Sequence, residues 1–352
     1  VSAAAPNACP VNAADCALGQ LQAEQLRLFM GCLGLSGCSV LLVAWLKPLA
    51  PPIFRESSYP FLSSDVWSEL ADEVASIDNG WRTTRPLVWV EGSGWKWRHV
   101  ARLLDARVEP VTLLMTSNKD WPTPLAKGDI ADRAIRNHPK LIALYCKNPL
   151  YASQRLRPLP LGPKWQWSSE MLYGEPKAQI LSFYESRARD AGEVQQLFAA
   201  KSRPLEILFT DTKIWSSCLH PHCVDRVASK RQILSRVPPG FRKELSRTGR
   251  QAYWDALARS AFVFSPPGYG LDTHRHWEAL MSGAIPIILH SSLDELFDAL
   301  PVWLVHSYDE VTVESMAAVY AELRGRTFDF DRLFVPFWAK HLNSSRNASR
   351  LR

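Results

Sequence analysis

Residues 261–290, AFVFSPPGYGLDTHRHWEALMSGAIPIILH, restrict the fold more than any other segment. AFVF and AIPIILH are short, continuous apolar runs, the pattern of strands covered on both faces. Between them a Pro- and Gly-containing loop leads into DTHRHWEALMSG (272–283), which has helical spacing and closes on Gly283. Strand, loop, helix and second strand in that order form a parallel crossover unit, the building block of an α/β protein.

The same alternation runs through the chain from residue 61. WSELADEVASI (67–77), WRHVARLLDARV (97–108) and IADRAIRNH (130–138) have helical spacing, and PLVWVEGS (86–93), VTLLMTS (111–117) and LIALYCK (141–147) are strand-like runs. RLRPLPLGPKWQW (155–167) is a Pro-rich connector, and residues 178–200 contain a helix and a hinge. A second alternation follows: strands are predicted at 205–211, 261–264, 284–290 and 302–307, and helices at 223–237, 251–260, 272–283, 293–300 and 311–325. These readings predict two doubly wound Rossmann-like domains, 61–177 and 178–330, with a cleft between them and a C-terminal helix and tail over 331–352.

Ahead of this body lies LFMGCLGLSGCSVLLVAWL (28–46), uncharged and mostly apolar. At ~1.5 Å per residue it spans nearly the ~30 Å hydrocarbon core, so a transmembrane helix is expected there. Arg27 and Lys47 bracket it, and Trp45 stands where an interfacial aromatic would. A buried helix or a late signal peptide are the other readings, but the segment has only Ser36 and Ser39 for a polar stripe and no clear small-x-small cleavage site. Residues 1–27 are then a tail and 47–60 a Pro-containing stem. The flanking charges do not fix orientation; sequons at Asn343 and Asn347 favour a lumenal body.

A net charge of +6 without a long basic run disfavours nucleic-acid binding while suiting anionic substrates. Of seven cysteines, Cys218 and Cys223 frame the string CLHPHC. Cys218, His220, His222 and Cys223 are zinc-ligand types, yet four ligands so close in sequence can hardly wrap one ion tetrahedrally. A disulfide-closed loop or free thiols stay open, and no metal site is assigned.

The candidate chemistry lies in the loop and helix of 265–290. Gly268 and Gly270 allow positive φ and close backbone approach, and Asp272 is a suitable N-cap. Free amides of the first helical turn then face the loop, where a diphosphate would sit together with Ser265, and His274 and Arg275 add donors to anionic oxygens. Trp277, Leu280 and Met281 share the face that packs on the sheet, while His274 and Glu278 share the adjacent edge. A carboxylate at Glu278 can accept ribose hydroxyls. Ser265, Gly268, Gly270, Asp272, His274, Arg275 and Glu278 thus form a candidate nucleotide-diphosphate-sugar site.

The string SPPGYGLDTHRHWEALMSGAIPI resembles the donor-binding half of exostosin-like glycosyltransferases, a family with the two-domain GT-B fold. TSNKDWPTP (116–124), HPKLIALYCKNP (138–149), LRPLPLG (156–162), LPVWLVHSYDEVT (300–312) and LFVPFWAKHL (333–342) are similar to it as well. Gly270 departs from the GT-B pattern, since many such enzymes carry a second glutamate there. The resemblance implies an inverting transfer from a nucleotide sugar to a glycan or glycoprotein acceptor, without a required metal or other cofactor. It also implies a single-pass type II Golgi membrane protein with a lumenal body, which agrees with residues 28–46. For the general base, Asp120 in the loop after strand 111–117 comes first, Glu91 second and Glu295 third. The other readings are a non-catalytic sugar- or nucleotide-binding relative, and a different nucleotide-dependent enzyme. Homo- or hetero-oligomerisation is left open.

Overall fold

The computed structural model describes residues 61–62, 66–75, 85–91, 97–116, 135, 137–149, 151–163, 185–186, 188–199, 204–210, 226–245, 249–268 and 270–350. The apolar segment 28–46, the stem 47–60, Asp120 and the Cys218–Cys223 string lie outside these residues. Among the described residues no helix is long and apolar enough to cross a membrane.

The apolar runs form two five-stranded sheets with parallel pairing throughout. The first contains β1 (Glu73–Ala75), β2 (Leu87–Glu91), β3 (Val111–Thr116), β4 (Leu141–Cys146) and β5 (Leu156–Pro158), side by side in chain order. The second contains β6 (Ile207–Thr210), β7 (Arg242–Leu245), β8 (Phe262–Phe264), β9 (Ile285–Leu289) and β10 (Trp303–Val305), in the order β10-β9-β8-β6-β7. Strands buried on both faces explain the runs: β3 is buried at every position.

The two orders differ in a way that matters for ligands. In the second sheet the chain goes from β6 to β7 on one side, then to β8, β9 and β10 on the other. That reversal is doubly wound, as expected, and places a topological switch point between β6 and β8. The first sheet corrects the expectation. Its described strands advance in one direction only, and right-handed crossovers then fall on one face.

That one-sidedness is visible in its packing. Val88, Val90, Leu113, Met115, Leu144 and Cys146 form a cluster with Val100, Leu103 and Leu104 of α2 (Trp97–Ala106). The alternate residues Leu87, Leu114, Ala143 and Tyr145 belong to the larger core, which includes the second sheet. That face receives α1 (Val66–Leu70) and the C-terminal helix α9 (Val335–Arg350), whose Trp338 meets Trp67 edge to face at 5.6 Å. Leu62 N–H donates to Leu333 O at 3.0 Å, and Phe61 bridges Phe334. Both sequon asparagines, Asn343 and Asn347, lie within α9.

Three edge strands depart from the sequence expectation. The helix predicted over 67–77 stops at Leu70, because Asp72 exchanges bonds with Leu87, whose N–H reaches Asp72 Oδ2 at 3.0 Å, and turns the chain into β1. The connector 155–167 contains β5, where Pro158 is tolerated because an edge strand can spare a donor. β7, RKEL, is charged and was not predicted; its polar side chains suit an exposed edge. Of the helix expected at 130–138, Ile135, Asn137 and His138 are described, and Ile135 alone of these is helical. The remaining α-helices among the described residues are α3 (Ala191–Ala199), α4 (Arg226–Arg236), α5 (Arg250–Arg259), α6 (His274–Met281), α7 (Asp294–Phe297) and α8 (Val313–Arg324).

Candidate functional site

β8 lies between β6 and β9, so the loop that follows it emerges at the switch point. Ser265 N–H still bonds Ile287 O at 3.2 Å, but Pro266 and Pro267 have no N–H and the ladder stops there. The loop tightens where Gly268 N–H donates to Gly270 O at 2.8 Å. Among the described residues the glycines that show positive φ are Gly162 (73°) and Gly283 (66°). Gly283 closes α6 as expected: its N–H bonds Leu280 O and that of Ala284 bonds Ala279 O, a Schellman pair.

Asp272 is not the N-cap of α6. Thr273 holds that position, with extended backbone. The carboxylate of Asp272 is 2% exposed and committed elsewhere. Its Oδ2 accepts Leu161 N–H at 2.7 Å, and its Oδ1 accepts the Trp277 indole N–H at 2.8 Å and lies 3.1 Å from His276 Nδ1. Its own N–H donates to Asn148 Oδ1 at 2.7 Å. Asn148, at φ 49°, follows β4, and Leu161 follows β5. Ser292 Oγ donates to Pro149 O beside them. The carboxyl ends of strands from both sheets therefore converge on the loop after β8, where ligands of open parallel sheets bind.

On α6 the expected face packs inward: Trp277, Leu280 and Met281 are fully buried, and Trp277 lies 5.6 Å from the Phe297 ring. His276, which spacing did not single out, is fully buried too. Its Nε2 donates to Ser265 O at 3.1 Å, so the ring ties the loop to the helix from inside. Its place four residues after Asp272 is the local signal that could have indicated this pairing.

Two of the expected anion donors lie inside this frame. Ser265 Oγ and Arg275 Nε are buried and have no hydrogen-bond partner among the described residues. They flank the first turn of α6, which carries the positive end of the helix dipole. Buried polar groups are normally satisfied, so two orphan groups around one helix start are suited to an outside oxyanion. His274 behaves differently from expectation. Its Nδ1 donates to Gly162 O at 2.8 Å, so Nε2 can donate to an anion only when the ring is doubly protonated. Glu278 is 7% exposed, and its Oε2 accepts the Tyr253 O–H at 2.7 Å. Tyr253, on α5, was not anticipated.

Of the candidate bases, Glu91 ends β2 and pairs with Thr116 of β3, at the carboxyl end of the first sheet. Asp120 lies outside the described residues. Glu295, on α7, is raised above the ordinary carboxylate range by burial; Arg157 opposes this, Asp298 adds to it, and Arg332 opposes it. Among the described residues no three His, Cys, Asp or Glu side chains are grouped to hold a metal ion.

No protein-family model matches the chain, and comparison with curated proteins finds no match.

Proposed function

We propose that this protein binds a nucleoside-diphosphate sugar at the start of α6 and transfers the sugar to a glycan or glycoprotein acceptor, as an inverting glycosyltransferase of GT-B type similar to the exostosin-like family. The observation that carries the reading is the pair of buried polar atoms without a hydrogen-bond partner among the described residues, Ser265 Oγ and Arg275 Nε, at the switch point of the second sheet. Such donors match the charge that develops on a departing diphosphate. Glu278, one turn further on, accepts ribose hydroxyls.

In the transfer, the acceptor hydroxyl oxygen bonds the anomeric carbon as the bond from that carbon to the diphosphate oxygen breaks. The hydroxyl proton goes to a carboxylate base, Asp120 in first place and Glu91 in second. The negative charge leaves with the diphosphate, compensated by Arg275, the Ser265 hydroxyl and the helix amides. Residues 28–46 anchor the chain as a type II Golgi membrane protein with the body in the lumen.

The test is a panel of nucleotide sugars offered to the full chain in detergent, with Glu278→Ala and Asp120→Ala beside the wild type. A donor that raises the melting temperature and is turned over supports transfer, with binding lost in Glu278→Ala and turnover alone lost in Asp120→Ala. Binding without turnover points to a non-catalytic relative, and absence of both overturns the proposal.

A further inference from the structure

Two neighbouring exits of the second sheet end alike. β9 runs into His290-Ser291 and β10 into His306-Ser307, and four residues after each histidine a carboxylate, Asp294 or Glu310, accepts the serine N–H at 2.8 Å. The parallel register pairs Leu289 with Val305, and His290 N–H extends it by bonding Val305 O at 2.9 Å. One residue further on, the two histidines stand side by side at the carboxyl edge of the sheet. Their exposed imidazoles are stacked, with centroids 4.2 Å and planes 21° apart.

Ring packing alone explains a stack, but the bond at His290 adds something to it. Its Nδ1 lies 2.7 Å from Asp294 Oδ2, and a carboxylate oxygen accepts, so Nδ1 carries the hydrogen. The neutral ring then holds its lone pair on Nε2. A carboxylate on the far nitrogen is the arrangement that orients metal-ligating histidines and raises their basicity. Among the described residues neither ring has any other hydrogen-bond partner.

We propose that His290, through Nε2, and His306 together bind one divalent transition-metal ion of the zinc type, at a site separate from the start of α6. Imidazole suits such ions, and both ligands are neutral and open to solvent. Among the described residues no third His, Cys, Asp or Glu joins them, so water fills the remaining positions. Tetrahedral bonds of about 2.0–2.1 Å put the two nitrogens about 3.3 Å apart, within the span of the stacked rings. A ligated ion lies in the plane of each ring, so His306, which only the stack holds, tilts out of it to share the ion. The ion then ties the exits of β9 and β10 together.

The experiment treats the full chain in detergent with diethyl pyrocarbonate, with and without Zn2+, and locates acylated histidines by peptide mass spectrometry. A site-by-site readout separates this pair from the ligand types of the Cys218–Cys223 string. Zn2+ is expected to protect His290 and His306 together. His306→Ala should remove the protection of His290, and His290→Ala that of His306, as zinc affinity falls about tenfold or more. Asp294→Asn keeps an oxygen for the Ser291 N–H but turns an NH2 toward His290 Nδ1, which moves the ring hydrogen to Nε2. It should weaken protection of both histidines about tenfold or more. Equal reaction with and without Zn2+ overturns the proposal, as does protection of one histidine that survives loss of the other. Undiminished protection in Asp294→Asn overturns it as well. Should the alanine variants not fold, the wild-type pattern decides alone: both protected at one zinc concentration, or the site is not shared.

Discussion

The carboxylate of Asp272 accepts the backbone N–H of Leu161 at 2.7 Å, across 111 residues of chain. Leu161 follows the last strand of the first sheet, and Asp272 precedes the helix with the candidate anion donors. One buried carboxylate thus secures the loop of one sheet to the exit of the other, while accepting the Trp277 indole N–H.

Asp272→Asn tests that role. The amide keeps the volume but has one oxygen in place of two: set at the Oδ2 position it keeps Leu161 and the longer Trp277 bond and loses the shorter one to Oδ1, and turned the other way it loses Leu161. Weakening these buried bonds and removing a buried charge should cost about 1–3 kcal/mol. Equilibrium denaturation in urea checks this. A loss under about 1 kcal/mol would mean that the carboxylate is incidental to the fold.

Ser265 should behave in the opposite way. Its hydroxyl is buried without a hydrogen-bond partner among the described residues, so the folded chain gains nothing from it. Ser265→Ala is expected to leave stability within about 1 kcal/mol of wild type, or to raise it. Affinity for a nucleoside diphosphate should fall about three- to tenfold, as one neutral hydrogen bond is lost. Thermal melts with and without UDP or GDP measure both effects. A drop in stability with unchanged affinity would assign this hydroxyl to the fold.

How much of this was legible in the sequence depends on the range of the contacts. β3, β4 and β9 were readable because both of their faces are covered and the sequence is continuously apolar. α6 was readable from the spacing of Trp277, Leu280 and Met281, and from Gly283 at its end. β1 and β5 were misread and β7 missed because an edge strand is defined by its neighbour: Asp72 turns the chain at Leu87, Pro158 needs no second partner, and RKEL has no apolar face to recognise. In the site, the residue types were legible and their partners were not. Asp272 has the composition of an N-cap, and only the approach of Asn148 and Leu161 from the other sheet makes it a buried acceptor. Tyr253 meets Glu278 across two helices, a pairing with no local signature.

Gly283 offers a local check on the helix that carries the site. At φ 66° it occupies the left-handed region that a Cβ disfavours, and two backbone bonds close α6 around it. Gly283→Ala should cost about 1–2 kcal/mol in equilibrium unfolding. Since β9 begins two residues later, the change tests whether the Schellman ending sets the exit of the chain into the sheet. An Ala variant as stable as wild type would mean that it does not.

The last prediction concerns pH and the return of the C-terminal helix to the first sheet. His341 stacks on Phe337 and meets the edge of Tyr145, whose O–H lies 3.4 Å from Nε2. Burial pushes the imidazole below its ordinary value of 6.5, and the nearby Arg157 and Arg332 push it further the same way. The neutral ring is therefore favoured in the folded chain, while the unfolded chain binds the proton more readily. Between the two values the unfolded state holds more protons, so stability rises with pH. The contribution is complete above the unfolded value of 6.5 and is lost as pH falls through the folded value. His341→Gln cannot titrate there but can still bond the Tyr145 phenol. Melting temperatures of both proteins from about pH 7.5 down to about pH 5 should show the wild type losing ground to the variant as the solution becomes acidic. Parallel curves would mean that His341 does not take up its proton on unfolding, and that the seam between β4 and α9 is insensitive to acid.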